Sequence, residues 1–169
     1  MKVQEKQKMI KAINDSPLKI YMAITGGGTG FIGDFLKFGG GSQTILGYNV
    51  PYSNVALNRF VAVKTNKYCS QETAKSLAQA SFHEAIFIAQ ESDFSYKVDN
   101  LLGIGVTASL RKAENEREGR WNGYHICFQT VRGQTVFTVE FTDIEGDRES
   151  QEQKMIDCIL FDIYNLSQK

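Results

Sequence analysis

A three-layer α/β/α domain on a mixed sheet, with a late antiparallel hairpin, is the fold that this sequence predicts. Three observations predict it. Short apolar runs alternate with helix-period stretches through the first part of the chain, two aromatic and β-branched runs flank a tight turn around Arg132, and an amphipathic helix comes last. At 169 residues there is room for one domain with a sizeable core, so residues 1–169 read as a single domain.

Each element has its own signal. Val3, Met9, Ile10 and Ile13 recur at roughly helical intervals, and Asn14, Asp15, Ser16 and Pro17 break the pattern, which predicts a surface helix over residues 3–14. "LKIYMAIT" reads as a buried strand ending at Gly26, followed by a helix through Phe31 to Phe38 that stops at Gly39, Gly40 and Gly41. "TILGYNV" is a second strand, and Pro51 marks a new turn or helix start. Ser70 is placed to cap a long helix, "QETAKSLAQASFHEAIFIAQ", whose first turn holds Glu72 at the positive end of the dipole. "LLGIGVTAS" is a third apolar run, and "RKAENEREGR" reads as a solvated loop. "WNGYHICFQT" and "QTVFTVEFT", joined at Val131, Arg132 and Gly133, form the hairpin. The last helix begins near Gly146, with Met155, Ile156, Ile159, Leu160, Ile163 and Leu166 on its apolar face.

Composition excludes several function classes. Nineteen basic residues balance nineteen acidic ones, so the broad positive field of a nucleic-acid binder is missing. No apolar run is long enough to span a bilayer, and "MKVQEKQKMIKAINDS" lacks the apolar core of a secretion signal, which predicts a soluble, cytoplasmic protein without membrane partners. Cys69, Cys127 and Cys158 are odd in number and far apart, and with only His83 and His125 beside them they offer no zinc spacing. Neither a metal nor a cofactor is expected.

"AITGGGTGFIG" contains Gly28-x-Gly30-x-x-Gly33, a spacing that resembles the dinucleotide turn of extended short-chain dehydrogenases. The rest of that pattern is missing. The second strand is followed by Val50 and Pro51 rather than an acid for a ribose diol, and Ala56 stands where Tyr52 would need its lysine partner. No lysine and hydroxyl residue close the glycine run, so a phosphate loop of the Walker type is excluded too.

A second resemblance runs from about Ile20 to Leu166. Thr25 to Thr29, Gly41 with Ser42, Tyr52-Ser53-Asn54, Ser70, "GIGVTAS" and Gly146-Asp147-Arg148 follow one another as do the motifs of the CinA C-terminal family, the nicotinamide-nucleotide amidohydrolases. That resemblance implies a three-layer α/β/α fold and hydrolysis of the carboxamide of nicotinamide mononucleotide. It implies Ser42 and Tyr52 as catalytic residues, and Gly26, Gly27, Gly28, Thr29, Asn54, Thr107 and Arg148 around a small-molecule nucleotide, with Arg148 on the phosphate. It also implies a homo-oligomer, for which the hairpin aromatics would serve as interface or equally as core.

The sequence departs from the family at chemically important places. Leu57 stands where the family has a lysine, Ile24, Thr25 and Gly26 replace glutamate-serine-cysteine, and Glu152 replaces the arginine four residues after Arg148. Leucine cannot move a proton. Two function classes are therefore open: a divergent amidohydrolase, and a catalytically silent nucleotide-binding module of the same fold.

Overall fold

Five strands, β1 (Lys19–Thr25), β2 (Ile45–Asn49), β3 (Leu101–Ser109), β4 (Gly123–Thr130) and β5 (Gly133–Glu140), form one mixed sheet in the order β2-β1-β3-β4-β5. A computed structural model describes residues 1–92, 96–112, 119–142 and 146–169. Helices α1 (Val3–Asn14), α2 (Gly30–Leu36), α3 (Asn54–Val61), α4 (Gln71–Glu91) and α5 (Arg148–Ser167) complete the element order that the sequence predicts. The centre of the charged loop, residues 113–118, lies outside the described residues.

Strand alternation sorts the helices into two layers. Ile20, Met22 and Ile24 of β1, Leu102, Ile104 and Val106 of β3, and Tyr124, Ile126 and Phe128 of β4 face one side, where they meet Ile10 and Ile13 of α1, Phe31 and Phe35 of α2, and Met155, Ile159 and Ile163 of α5. On the other face Ala23 packs with Leu57 and Val61 of α3 and Leu77 of α4. β1 is parallel to both β2 and β3, while β3, β4 and β5 are antiparallel. Parallel pairs require crossovers: α2 makes the first on one face, and α3 with α4 make the second on the other. The chain therefore leaves β1 and β3 in opposite directions, and a crevice opens beyond their carboxyl ends.

The helix ends follow from capping chemistry. Ser70 accepts from the Thr73 amide at 3.2 Å, Ser53 from Ala56 at 3.2 Å, and Asp147 from Ser150 at 2.9 Å. "LLGIGVTAS" is strand β3, as its apolar run predicts, and its glycines answer to close contact: an ideal Cβ on Gly105 would sit 2.2 Å from the Ala74 carbonyl oxygen and one on Gly103 2.3 Å from that of Ala78. These glycines bring the α4 backbone onto the sheet.

An ion cluster ties α1, α2 and α5 together. Lys6 is buried, with its ammonium 2.7 Å from Asp34 and 2.8 Å from Asp157. Burial pulls the Lys6 pKa down, but the hydrogen bonds to Asp157 and Asp34 outweigh it and hold the group above its ordinary 10.5. Asp34 is held below 3.8 chiefly by its bond from Lys6. At Asp157 burial opposes the shift, yet bonds from Lys6 and the amino terminus bring it below the same value. Depressed carboxylates add stability above their unfolded pKa and lose it as pH falls through the lower folded values; a raised lysine adds stability below 10.5 and loses it as pH climbs further. Lys6→Met is expected to cost about 2 kcal/mol at neutral pH, less than a fully buried pair because both acids keep some solvent. Denaturant unfolding should show the gap to wild type closing at acidic and strongly alkaline pH. A gap unchanged in acid would assign the loss to packing instead.

Candidate functional site

The crevice at the carboxyl ends of β1 and β3 is a cleft of about 440 Å³ lined by Gly26, Gly27, Thr29, Tyr52, Arg148, Glu149 and Glu152. Its wall is a turn that the backbone enters at Gly26, where φ is +82° and an ideal Cβ would fall 1.9 Å from the Ala108 carbonyl oxygen. Only glycine fits there. Gly28 follows at φ +77°, with Met155 and Ile24 against it. By contrast, nothing lies within 4 Å of an ideal Cβ on Gly33. The third glycine of a dinucleotide turn serves close helix–strand packing, and that need is absent here, so the spacing in "GTGFIG" does not describe a dinucleotide loop.

The first turns of α5 reach into this loop. Arg148 donates to the Gly26 carbonyl at 3.2 Å and to the Arg111 carbonyl at 3.3 Å, so its guanidinium holds the end of β1 to the chain that leaves β3. One turn further, Glu152 accepts from the Gly28 amide at 2.6 Å and, more loosely, from Gly30 at 3.5 Å. A carboxylate thus occupies donors that would otherwise turn toward a phosphate oxygen. Tyr48 of β2 lies behind it. Burial, and after that the Glu152 charge, push the Tyr48 phenol well above its ordinary value, so it stays protonated.

Of the residues nominated from sequence, the cleft brings together Gly26, Gly27, Thr29, Tyr52 and Arg148. Tyr52 is two-thirds exposed at its rim. Gly28 is buried in the turn behind it, and Asn54 begins α3 outside the lining. Thr107 is 1% exposed, and its hydroxyl donates to the Tyr68 carbonyl at 2.7 Å, so it serves the fold at that point.

Ser42 is not part of this constellation. It sits in a short 3-10 turn, Gly41–Gln43, that precedes β2, and the neighbouring Gln43 carbonyl accepts from Lys19 at the start of β1. Because β1 and β2 are parallel, the residue before β2 lies at the amino end of β1 while Gly26 lies at its carboxyl end, on the order of 20 Å away. Ser42 therefore cannot act together with Tyr52 in the cleft. Leu57 is equally removed: it is 1% exposed and packed among Ala23, Val61 and Leu77.

Glu149 and Glu152 give the cleft two acids that sequence reasoning did not count as site residues. Their signal was present: Glu152 follows Arg148 by four residues, the spacing that puts two side chains on one helix face. A larger hollow of about 1160 Å³ lies along α5 beside the hairpin, lined in part by Met9, Tyr124, Val139, Cys158 and Phe161. Apart from Glu149 and Glu152 it shares nothing with the cleft and holds no nominated residue. His125 stacks on Trp121 at 4.9 Å and bonds the Thr138 hydroxyl at 2.8 Å. Among the described residues no group of three or more histidine, cysteine, aspartate or glutamate side chains is gathered as a metal would need, and no helix is long and apolar enough to cross a membrane.

No family model matches the sequence, and no curated protein matches it. Solved structures do share the fold. A competence-damaged protein (CinA) superfamily protein from Escherichia coli superposes with a TM-score of 0.72 at 13% identity, over 99% of this chain and 91% of its own. A superfamily protein from Enterobacter cloacae gives 0.69 at 16% identity, over 98% of this chain and 92% of its own. The competence/damage inducible protein CihA from Agrobacterium tumefaciens gives 0.69 at 17%, covering 96% and 95%. At these identities the likeness is one of fold: this chain has the CinA architecture from end to end.

Proposed function

We propose that this chain is a catalytically silent ligand-binding module on the CinA fold, whose cleft takes a pyridine mononucleotide or a related amide without hydrolysing it. The observation that supports this best is the Glu152 carboxylate on the Gly28 amide. Amide hydrolysis needs a nucleophile beside a base and donors free for the developing oxyanion. Here the loop donor is already satisfied, Ser42 is at the far edge of the sheet, and Leu57 is core.

Binding retains a physical basis. Arg148 keeps N–H groups beyond the two it gives to carbonyls, Thr29 adds a hydroxyl, and Tyr52 offers an exposed ring at the rim for a heteroaromatic base. A phosphate must compete with Glu152 for the loop. Nicotinamide mononucleotide is expected to bind better than NAD, since no acid follows β2 to receive an adenosine ribose. Glu152→Gln removes the competing charge and should tighten mononucleotide binding roughly tenfold, which is about 1.4 kcal/mol.

Calorimetric titration of both proteins with nicotinamide mononucleotide and NAD, together with an ammonia-release assay, tests this reading. Steady ammonia release by the wild type would restore the amidohydrolase. Failure of both proteins to bind either nucleotide would remove the binding module as well.

A further inference from the structure

Two polar groups between α5 and the hairpin lack a counterpart, and both line the same hollow. Tyr124 of β4 is 0% exposed, and its phenol oxygen has no hydrogen-bond partner. Buried polar groups are nearly always bonded, so an orphaned hydroxyl calls for an explanation. Asp162 of α5 is the second group. It is half-buried, no described cation pairs with it, and burial alone acts on its carboxyl, raising its pKa above the ordinary value. The Cys158 thiol and the Asp162 carboxylate both act on the phenol, but neither meets it in hydrogen-bonding geometry.

The placement follows from the period of the helix. Lys154, Cys158 and Asp162 stand four residues apart and form one stripe along α5. Lys154 lies over the Phe141 ring at 5.9 Å, and eight residues of rise put it about 12 Å from Asp162 along the axis. It cannot neutralise that acid. Two hollows meet at Asp162: the one of about 1160 Å³ reaches it past Tyr124, Val139 and Cys158, and one of about 270 Å³ reaches it past Phe137 and Leu166. Phe137 packs edge-on against Phe128 at 6.2 Å and is still half exposed. An unpaired acid and an unpaired phenol thus stand among apolar walls.

We propose that this junction binds a small hydrophobic amine in its ammonium form, with the nitrogen between Asp162 and the Tyr124 phenol and the hydrocarbon against Val139 and Phe137. The ammonium donates to the carboxylate and to the phenol oxygen, which gives both groups the partner they lack. Binding turns the small Cys158 side chain aside to uncover that oxygen. Other ligand classes fit worse. An anion is repelled by Asp162, a neutral hydrocarbon would leave both polar groups desolvated, and the described residues gather no set of three ligands for a metal. Neither Asp162 nor Tyr124 lines the glycine-turn cleft, so this site stands apart from the nucleotide reading.

Phenethylamine is a suitable probe, titrated at neutral pH into isotope-labelled protein and followed by amide NMR. Shifts should concentrate on α5 and β5, with a Kd on the order of 0.1 mM. Phenethyl alcohol and phenylacetate, of similar shape but neutral and anionic, should bind at least tenfold more weakly. Asp162→Asn should weaken phenethylamine roughly tenfold and Tyr124→Phe roughly fivefold. In Tyr124→Phe the urea midpoint should hold or rise, because no bond within the chain is lost. A phenol serving only the fold would lower the midpoint and leave the affinity alone. Absence of binding, equal affinity for the alcohol or the acid, or unchanged affinity in either variant would overturn the proposal. Spermidine binding as tightly as phenethylamine would overturn it too, by reducing the junction to a plain acidic surface.

Discussion

Gly105→Val is expected to lower the unfolding free energy by about 4 kcal/mol, the largest effect of any single substitution discussed for this protein. The cause is geometric. A Cβ at Gly105 meets the Ala74 oxygen and the Ala78 nitrogen, both at 2.2 Å, and the Leu77 Cβ at 2.7 Å. Two of these are backbone atoms of α4, so relief requires the whole helix to lift from β3 rather than one side chain to turn. The isopropyl group adds volume to the same contact. Gly33→Ala is the matched control: it lies inside α2 with nothing within 4 Å, and it should raise stability by about 0.5 to 1 kcal/mol through helix propensity. Equilibrium urea unfolding of the two variants against wild type gives both numbers. A loss below about 1 kcal/mol for Gly105→Val would mean that α4 is not held against the sheet as described.

Leu57→Lys comes next, with an expected loss of about 3 kcal/mol and no gain of activity. The resemblance to the CinA C-terminal family makes this substitution look like the repair of a missing base. The core says otherwise. At 1% exposure among Ala23, Val61 and Leu77, the new amine would be desolvated against apolar side chains, and Ser42 would be no closer. Unfolding curves should shift to lower denaturant, and ammonia release from nicotinamide mononucleotide should stay at background. A stable Leu57→Lys protein that releases ammonia would place the amine in the cleft and revive the enzyme.

The order of elements was legible because its signals are local. Apolar periodicity marks α1 and α5, the short turn between aromatic runs marks the hairpin, and Ser70 announces α4 through a hydrogen bond formed three residues away. The site was harder, since it depends on which end of each strand a loop joins. Ser42 stands before a strand and Gly26 after one; in a parallel pair this alone puts them at opposite edges, an inference available once β1 and β2 are known to be parallel. "LLGIGVTAS" is the strand its apolar run announces, but the close contact that Gly103 and Gly105 serve was not legible, because it depends on the position of α4. Glu152 was visible as a reversed charge. Its bond to Gly28 was not, because it spans 124 residues and depends on how α5 crosses the end of β1.

One helix fixes three separate parts of the molecule. From its first turn to its middle, α5 holds the end of β1 through Arg148, the glycine turn through Glu152, and α1 with α2 through Asp157 and Lys6. The walls of the cleft therefore have no independent positions; they are referenced to a common rod, as fittings are to a beam. Loosening that rod anywhere along this stretch changes the cleft as a unit, so local stability and ligand affinity become one cooperative property of the chain.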